Sequence, residues 1–141
     1  VLEAMMPVES SSQLTNTTNG LYPIRNLKVM KTSGTGKNLL LAPDMDELAA
    51  YYDIAWNLDS KDLIEMYAII QKFTGQAISA DLYLNMQSQQ TISSRQLLSD
   101  FIYMMKLGCK TRYYLNSASG IIHEGYEKVE DQSCAGGACT L

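Results

Sequence analysis

The opening stretch VLEAMMP limits what the chain can become more than any other feature. Val1, Leu2, Ala4, Met5 and Met6 are apolar and Pro7 ends the run, so the pattern predicts a short strand buried on both faces, with no cap or turn ahead of it. Such a strand needs a neighbour on each side, as in the interior of a parallel sheet. The expectation is therefore an α/β fold whose partner strands lie outside this sequence, with the chain beginning inside a larger fold because the gene is split or because it is a fragment.

The next stretch, PVESSSQLTNTTNG, places Ser10, Ser11 and Ser12 after Pro7 as possible helix caps, and Gly20 as a stop. It predicts a strand, a tight turn and a short helix. Free backbone N–H groups at a helix start, the positive end of the helix dipole and serine hydroxyls together make an anion site. A plain capped helix explains the same residues, and composition leaves both readings open.

From Arg25 to Pro43 two β-prone runs, RNLKVMKT and LLLAP, flank SGTGKN, with Gly34 and Gly36 as turn residues of a hairpin. GTGK is not a P-loop. That motif requires glycine where Lys31 stands and Ser or Thr where Asn38 stands.

Three helical patterns follow. Asp44 with Glu47 resembles a capping box ahead of an apolar face of Leu48, Tyr52, Ala55 and Trp56. A second helix from about Ser60 carries Leu63, Met66, Tyr67, Ile70 and Phe73, with Gly75 near its end. A third, capped by Ser93 and Gln96, carries Leu97, Phe101, Ile102 and Met105 and closes at Gly108. These apolar positions are read as core, with no cofactor assigned to them. CKTRYYLN then reads as a short β-prone run, so the middle of the chain mixes helix and strand.

Composition sets the remaining limits. A chain of 141 residues, 46% hydrophobic and 18% charged, is the size of one ordinary domain. A net charge of −4, without a Lys/Arg cluster, argues against a nucleic-acid footprint. No apolar run approaches the roughly 18 residues a membrane span needs, and the start lacks a signal-peptide pattern. The expected location is cytoplasmic, where thiols stay reduced.

In that compartment a close cysteine pair is catalytic, redox-active or metal-binding more often than it is a staple. Cys134 and Cys139 flank Ala-Gly-Gly-Ala near the end of the chain. Zinc would need four ligands, and the only additions from Cys and His are Cys109 and His123, at spacings that fit no finger pattern. No metal site is assigned. Cys109 reads as a small buried residue and His123 as part of the tail, where Glu124, Glu127, Glu130 and Asp131 keep the chain solvated.

Three landmarks in order, PVESSSQ, KTRYYLN and the terminal C-x4-C, resemble the C-terminal part of the large, catalytic subunit of class I ribonucleotide reductase of the bacterial and phage type. The hairpin after NG and the string QKFTGQAISA match in kind and spacing. The resemblance covers essentially the whole chain, and it is the ordered set that carries it.

The resemblance implies that residues 1–24 are the last strand of a ten-stranded α/β barrel with its phosphate loop, 25–120 a mixed α/β C-terminal region (α+β as an isolated piece), and 121–141 a flexible redox tail. It implies that Glu9, Ser10 and Ser11 hold the diphosphate of a ribonucleoside diphosphate through N–H groups and hydroxyls, with Pro7 and Val8 shaping the turn. Val8 stands where a hydroxyl residue is often found, so one side-chain bond is lost while its N–H is expected to remain. Tyr113 and Tyr114 match the tyrosines that carry a radical from a metal-containing small subunit to the active-site cysteine. Phenols suit this because they lose an electron and a proton together.

Cys134 and Cys139 match the tail dithiol that re-reduces the active-site disulfide and is itself reduced by thioredoxin or glutaredoxin. The 21 residues from Ile121 to Leu141 have a root-mean-square reach of roughly 25 Å and a stretched span of about 70 Å. Both suit a shuttle. The family's radical-bearing and substrate-reducing cysteines and its effector domain would lie upstream, so the chain would act only with a complementary large-subunit piece. A rival from another class is a stand-alone thiol-redox or adaptor module with a C-x4-C tail.

Overall fold

The computed structural model describes residues 3–33, 36–86, 91–118 and 127–130. In chain order these form α1 (Glu9–Leu14), β1 (Lys28–Ser33), β2 (Gly36–Leu41), α2 (Met45–Leu48), two 3-10 turns (Ala49–Tyr51 and Ala55–Asn57), α3 (Ser60–Gln71), β3 (Leu82–Asn85), α4 (Ser94–Lys106), β4 (Leu115–Ala118) and β5 (Glu127–Glu130). Helix and strand are mixed, as an α/β fold requires.

β1 and β2 pair antiparallel from Lys28↔Leu41 to Ser33↔Gly36, which is the expected hairpin. Gly36 has φ of 141°, a conformation that side chains rarely allow, so glycine is needed where β2 begins. Gly34 lies outside the described residues. β5 adds to the other edge of β1 in parallel, giving the order β2-β1-β5. β3 and β4 form a second, parallel pair joined through α4, since parallel neighbours need a crossover.

The core lies between α3, α4 and the β3–β4 pair. It contains Trp56, Leu63, Ile64, Tyr67, Ile78, Leu82, Tyr83 and Met104, with Trp56 meeting Tyr83 edge-to-face at 5.6 Å. α3 starts where Asp59 accepts the N–H of Lys61 at 2.8 Å, and it buries Leu63, Ile64, Tyr67, Ala68 and Gln71 along one face. Gln71 then fixes the path to β3. Its amide donates to the carbonyls of Thr74 and Gln76 and accepts the N–H of Ile78.

Several expectations are corrected. Residues 3–7 form no strand; Met6 is 63% exposed, and no described strand pairs with this stretch, so its backbone lacks the ladder that defines a strand. Val1 and Leu2 lie outside the described residues. The helix expected from Asp44 stops at Leu48. Asp44 is left-handed (φ 46°) and its side chain makes no cap, and Tyr52 and Ile54 are extended because Ile54 bridges to Ile24 and Ala55 donates to the Ile24 carbonyl at 2.8 Å. Tertiary pairing overrides helix pattern there.

α4 forms as expected, with Ser93 accepting the Arg95 N–H and the chain turning off at Gly108, φ 86°. Its buried face differs. Asp100 and Met104 face the core, whereas Phe101, Ile102 and Met105 are exposed. Gln96 does not reach back to complete a capping box; its amide donates to Asp100 at 2.8 Å, which is what lets a carboxylate occupy the buried face. Phe73, expected in the core, lies past the end of α3 and is 81% exposed.

Candidate functional site

The hairpin, the start of α1 and the segment before β4 enclose a cleft of about 540 Å³. Its lining includes Pro7, Glu9, Arg25, Asp81, Tyr113 and Tyr114. Two motifs more than a hundred residues apart in sequence thus meet at one surface.

The tyrosines sit just ahead of β4, not in it, and are held by backbone. Tyr113 donates its N–H to Ala80 at 2.9 Å, and the Tyr114 carbonyl accepts from Leu82 at 3.0 Å. The rings stack with centroids 3.9 Å apart and a 48° tilt, and the Tyr113 hydroxyl donates to the Tyr114 hydroxyl at 3.0 Å. That bond raises the pKa of Tyr113 above the usual phenol value, since ionisation would remove the donated proton; the charge on Asp81 pushes the same way. Both rings are about half exposed.

Asp81 is the buried acid of the site, only 6% exposed. One carboxylate oxygen accepts the N–H of Tyr114 at 3.1 Å and the other accepts the Asn116 amide at 3.3 Å, while Asn116 in turn accepts from the Arg25 guanidinium at 2.8 Å. Burial raises the Asp81 pKa, and the Tyr114 N–H, the Asn116 amide and the Arg25 charge each oppose that rise. Beside it, Tyr22 donates to the Ser79 carbonyl at 2.6 Å, and burial with the Asp81 charge pushes its pKa up to about 12.

The serine-rich turn is more engaged than its sequence suggests. The Val8 N–H, expected to remain available, is donated to Asn19 Oδ1 at 2.8 Å. Ser12 is the buried serine, its hydroxyl donating to the Glu9 carbonyl at 2.9 Å, whereas Ser10 and Ser11 are exposed. α1 begins at Glu9, so the N–H groups of Glu9, Ser10 and Ser11 have no acceptor one turn earlier. The Glu9 carboxylate meets Lys31 at 3.0 Å in an exposed ion pair, worth about 0–1 kcal/mol. Pro7, Glu9 and Ser12 line the cleft with the tyrosines, and Ser10 and Ser11 are not among its lining residues.

Cys134, Cys139 and His123 lie outside the described residues. Part of the segment expected to be a tail is a strand. β5 pairs with β1 with Val29 opposite Glu127 and Lys31 opposite Val129, and Val29 and Lys31 also line the cleft. Cys109 is half-buried beside the Ile64 carbonyl, and burial pushes its thiol pKa up, away from reactivity. Among the described residues no three His, Cys, Asp or Glu side chains converge as a metal site would require, and no helix is long and apolar enough to cross a membrane.

Sequence reasoning missed Arg25, Asp81 and Asn116. Asn116 ends the KTRYYLN motif, which was a usable signal; Arg25 and Asp81 carried none, because their pairing depends on chain separations of 91 and 35 residues.

An α/β piece with a stacked tyrosine pair at a cleft narrows the class, and the profile of the family described as "Ribonucleotide reductase, barrel domain" matches residues 41–115, just over half of the chain. The chain belongs to the ribonucleotide reductase family. It is 36% identical over 143 residues to the ribonucleoside-diphosphate reductase subunit alpha of Haemophilus influenzae, 33% over 146 residues to the ribonucleoside-diphosphate reductase 1 subunit alpha of Escherichia coli, and 33% over 149 residues to the ribonucleoside-diphosphate reductase subunit alpha of Enterobacteria phage T4. Each match takes in 99% of this chain and 19% of the relative, so the chain spans about a fifth of the length of the proteins it resembles.

Proposed function

We propose that the chain is the C-terminal part of a class I ribonucleoside-diphosphate reductase large subunit, working in the cytoplasm with an upstream large-subunit piece that completes a ten-stranded barrel. The observation that carries this reading is the hydroxyl contact between Tyr113 and Tyr114, at a cleft shared with Pro7 and Glu9. A phenol pair in direct hydrogen-bond contact can hand on an electron with a proton moving only between the two oxygens. The radical would enter from the metal-containing small subunit and leave toward a cysteine of the upstream piece.

In this reading the substrate diphosphate is held at the start of α1 by the free N–H groups of Glu9, Ser10 and Ser11, with Pro7 and Val8 shaping the turn. Val8 contributes through its bond to Asn19, which fixes the loop, and not through a bond to phosphate. Cys134 and Cys139 relay reducing equivalents from thioredoxin or glutaredoxin by thiol–disulfide exchange. The test is to mix the chain with the upstream piece and the small subunit and assay reduction of ribonucleoside diphosphates. Deoxynucleotide formation that needs all three components is expected; none under any reductant, from a complex that assembles, would overturn the reading.

A further inference from the structure

The Asp81 carboxylate is 6% exposed, and among the described residues neither oxygen forms a salt bridge, the Arg25 charge acting on it through Asn116. A buried ionisable group kept for packing alone is costly, since an apolar side chain of similar size would fill the space without desolvation. What Asp81 does is specific. One oxygen takes the backbone N–H of Tyr114, a donor that lies outside β4 and lacks a strand partner, and the other takes the Asn116 amide, whose own oxygen is fixed by Arg25. Asn116 also donates to the Leu82 carbonyl at 3.4 Å. The chain Arg25–Asn116–Asp81–Tyr114 therefore ties the backbone under the second tyrosine to β3 and to the segment before the hairpin.

We propose that Asp81 is a positioning residue for the tyrosine pair, setting the contact between the Tyr113 and Tyr114 hydroxyls through its bond to the Tyr114 N–H. The inference rests on the radical-transfer reading of the pair. The rings stand at the surface, where burial does little to fix them, so their relative placement must come from the backbone that carries them. Tyr113 is fixed by the Ala80 carbonyl and Tyr114 by the Leu82 N–H and Asp81, three consecutive anchors under two consecutive rings. Removing the middle anchor leaves a part-buried N–H without its acceptor and frees the peptide to rotate, and transfer between redox groups is sensitive to displacements of about 1 Å.

What positions the pair is acceptor geometry, so the substitutions separate it from charge. Asp81→Leu removes the acceptor; Asp81→Asn keeps an oxygen for the Tyr114 N–H while removing the charge. In the 141-residue chain labelled with ¹³C at the tyrosine ring carbon bearing oxygen, and with Tyr113→Phe assigning the signal, both variants lose the Asp81 charge, so the difference between their Tyr113 titrations follows the hydroxyl contact. Asp81→Leu is expected to bring the Tyr113 midpoint back toward the ordinary phenol value of 10.0, and Asp81→Asn to retain most of the elevation. In the assembled enzyme Asp81→Leu should lower kcat by roughly 10- to 100-fold with KM for the nucleotide unchanged. Asp81→Asn should recover most of that loss.

If Asp81→Leu does not fold, Asn116→Leu removes the outer link at a less buried position and should lower the Tyr113 midpoint in the same direction. A folded Asp81→Leu or Asn116→Leu chain in which Tyr113 titrates as in the parent overturns the proposal. So does equal impairment of the Leu and Asn variants, and so does a moved titration with unchanged kcat. The titration needs no radical chemistry, so its outcome is independent of the proposed activity, whose own failure would show as full turnover with Tyr113→Phe.

Discussion

The hydroxyl of Tyr113 donates to that of Tyr114 at 3.0 Å, between rings whose centroids lie 3.9 Å apart. Replacing either residue by Phe removes one oxygen from that contact and leaves the ring. Both rings are about half exposed, so the thermal unfolding midpoint should hardly change, whereas turnover of the assembled enzyme should collapse to background. Circular-dichroism melts and a nucleotide-reduction assay on the same preparations check both halves. Full activity in both Phe variants would reduce the pair to surface packing.

Asp81 predicts a pH dependence of stability whose sign follows from its raised pKa. In the unfolded chain the group ionises near its ordinary value of 3.8; in the folded chain it holds its proton to higher pH. Between those two pKa values the folded state binds more protons, so stability falls as pH rises through the window and levels off above it. Asp81→Asn cannot titrate. Denaturant unfolding of parent and variant at a series of pH values should show the parent losing stability relative to Asn as pH climbs from below 3.8 through its folded pKa. A constant difference would mean that the carboxylate is solvated.

Tyr67 offers a contrast within the core. Its ring is 1% exposed, yet its hydroxyl makes no well-formed hydrogen bond among the described residues, the Asp81 backbone being a nearby polar neighbour. A buried, unsatisfied polar atom costs about 1–3 kcal/mol, so Tyr67→Phe should leave the chain as stable or raise stability by about 1 kcal/mol. Ile64→Ala, at a fully buried position on the same helix, should instead cost about 2–5 kcal/mol through lost contacts and a cavity. Urea midpoints with equal slopes would measure both, and marked destabilisation by Tyr67→Phe would reveal a partner for the hydroxyl.

What was legible in the sequence was local. The hairpin, the start of α3 near Ser60 and the Ser93 cap of α4 each depend on residues within a few positions of one another, and each is found. The face of α4 was not legible, because the helix carries more apolar residues than the core takes up, and the Gln96–Asp100 bond lets an acid turn inward in their place. The helix after Asp44 failed for a related reason. Its pattern was sound, but Ile24, thirty residues earlier, claims Ile54 and Ala55 for pairing. The Arg25–Asn116–Asp81 chain was invisible to any reading that looks along the sequence, since only the fold brings its members together.

The tail dithiol gives the prediction that best separates a reductase piece from a stand-alone redox module. If Cys134 and Cys139 only relay electrons, changing both to Ser should abolish multiple turnover supported by thioredoxin or glutaredoxin, because a protein reductant is too large to enter the closed site of the assembled enzyme. A single turnover by pre-reduced enzyme should survive, since the substrate chemistry does not use these thiols. Dithiothreitol, small enough to enter, should restore part of the multiple turnover, so the pattern is asymmetric: protein reductants fail and the small one works. β5 adds a second reading of the same assay, because it joins the chain four residues before Cys134 to the β1 edge of the hairpin beside the cleft. Val129→Pro removes a backbone donor from that strand. If β5 holds the dithiol near the cleft, this variant should slow thioredoxin-supported turnover and leave the dithiothreitol rate unchanged. Thioredoxin-supported turnover equal to the parent in the double Ser variant would end the relay reading, and loss of the single turnover would place the pair inside the active site itself.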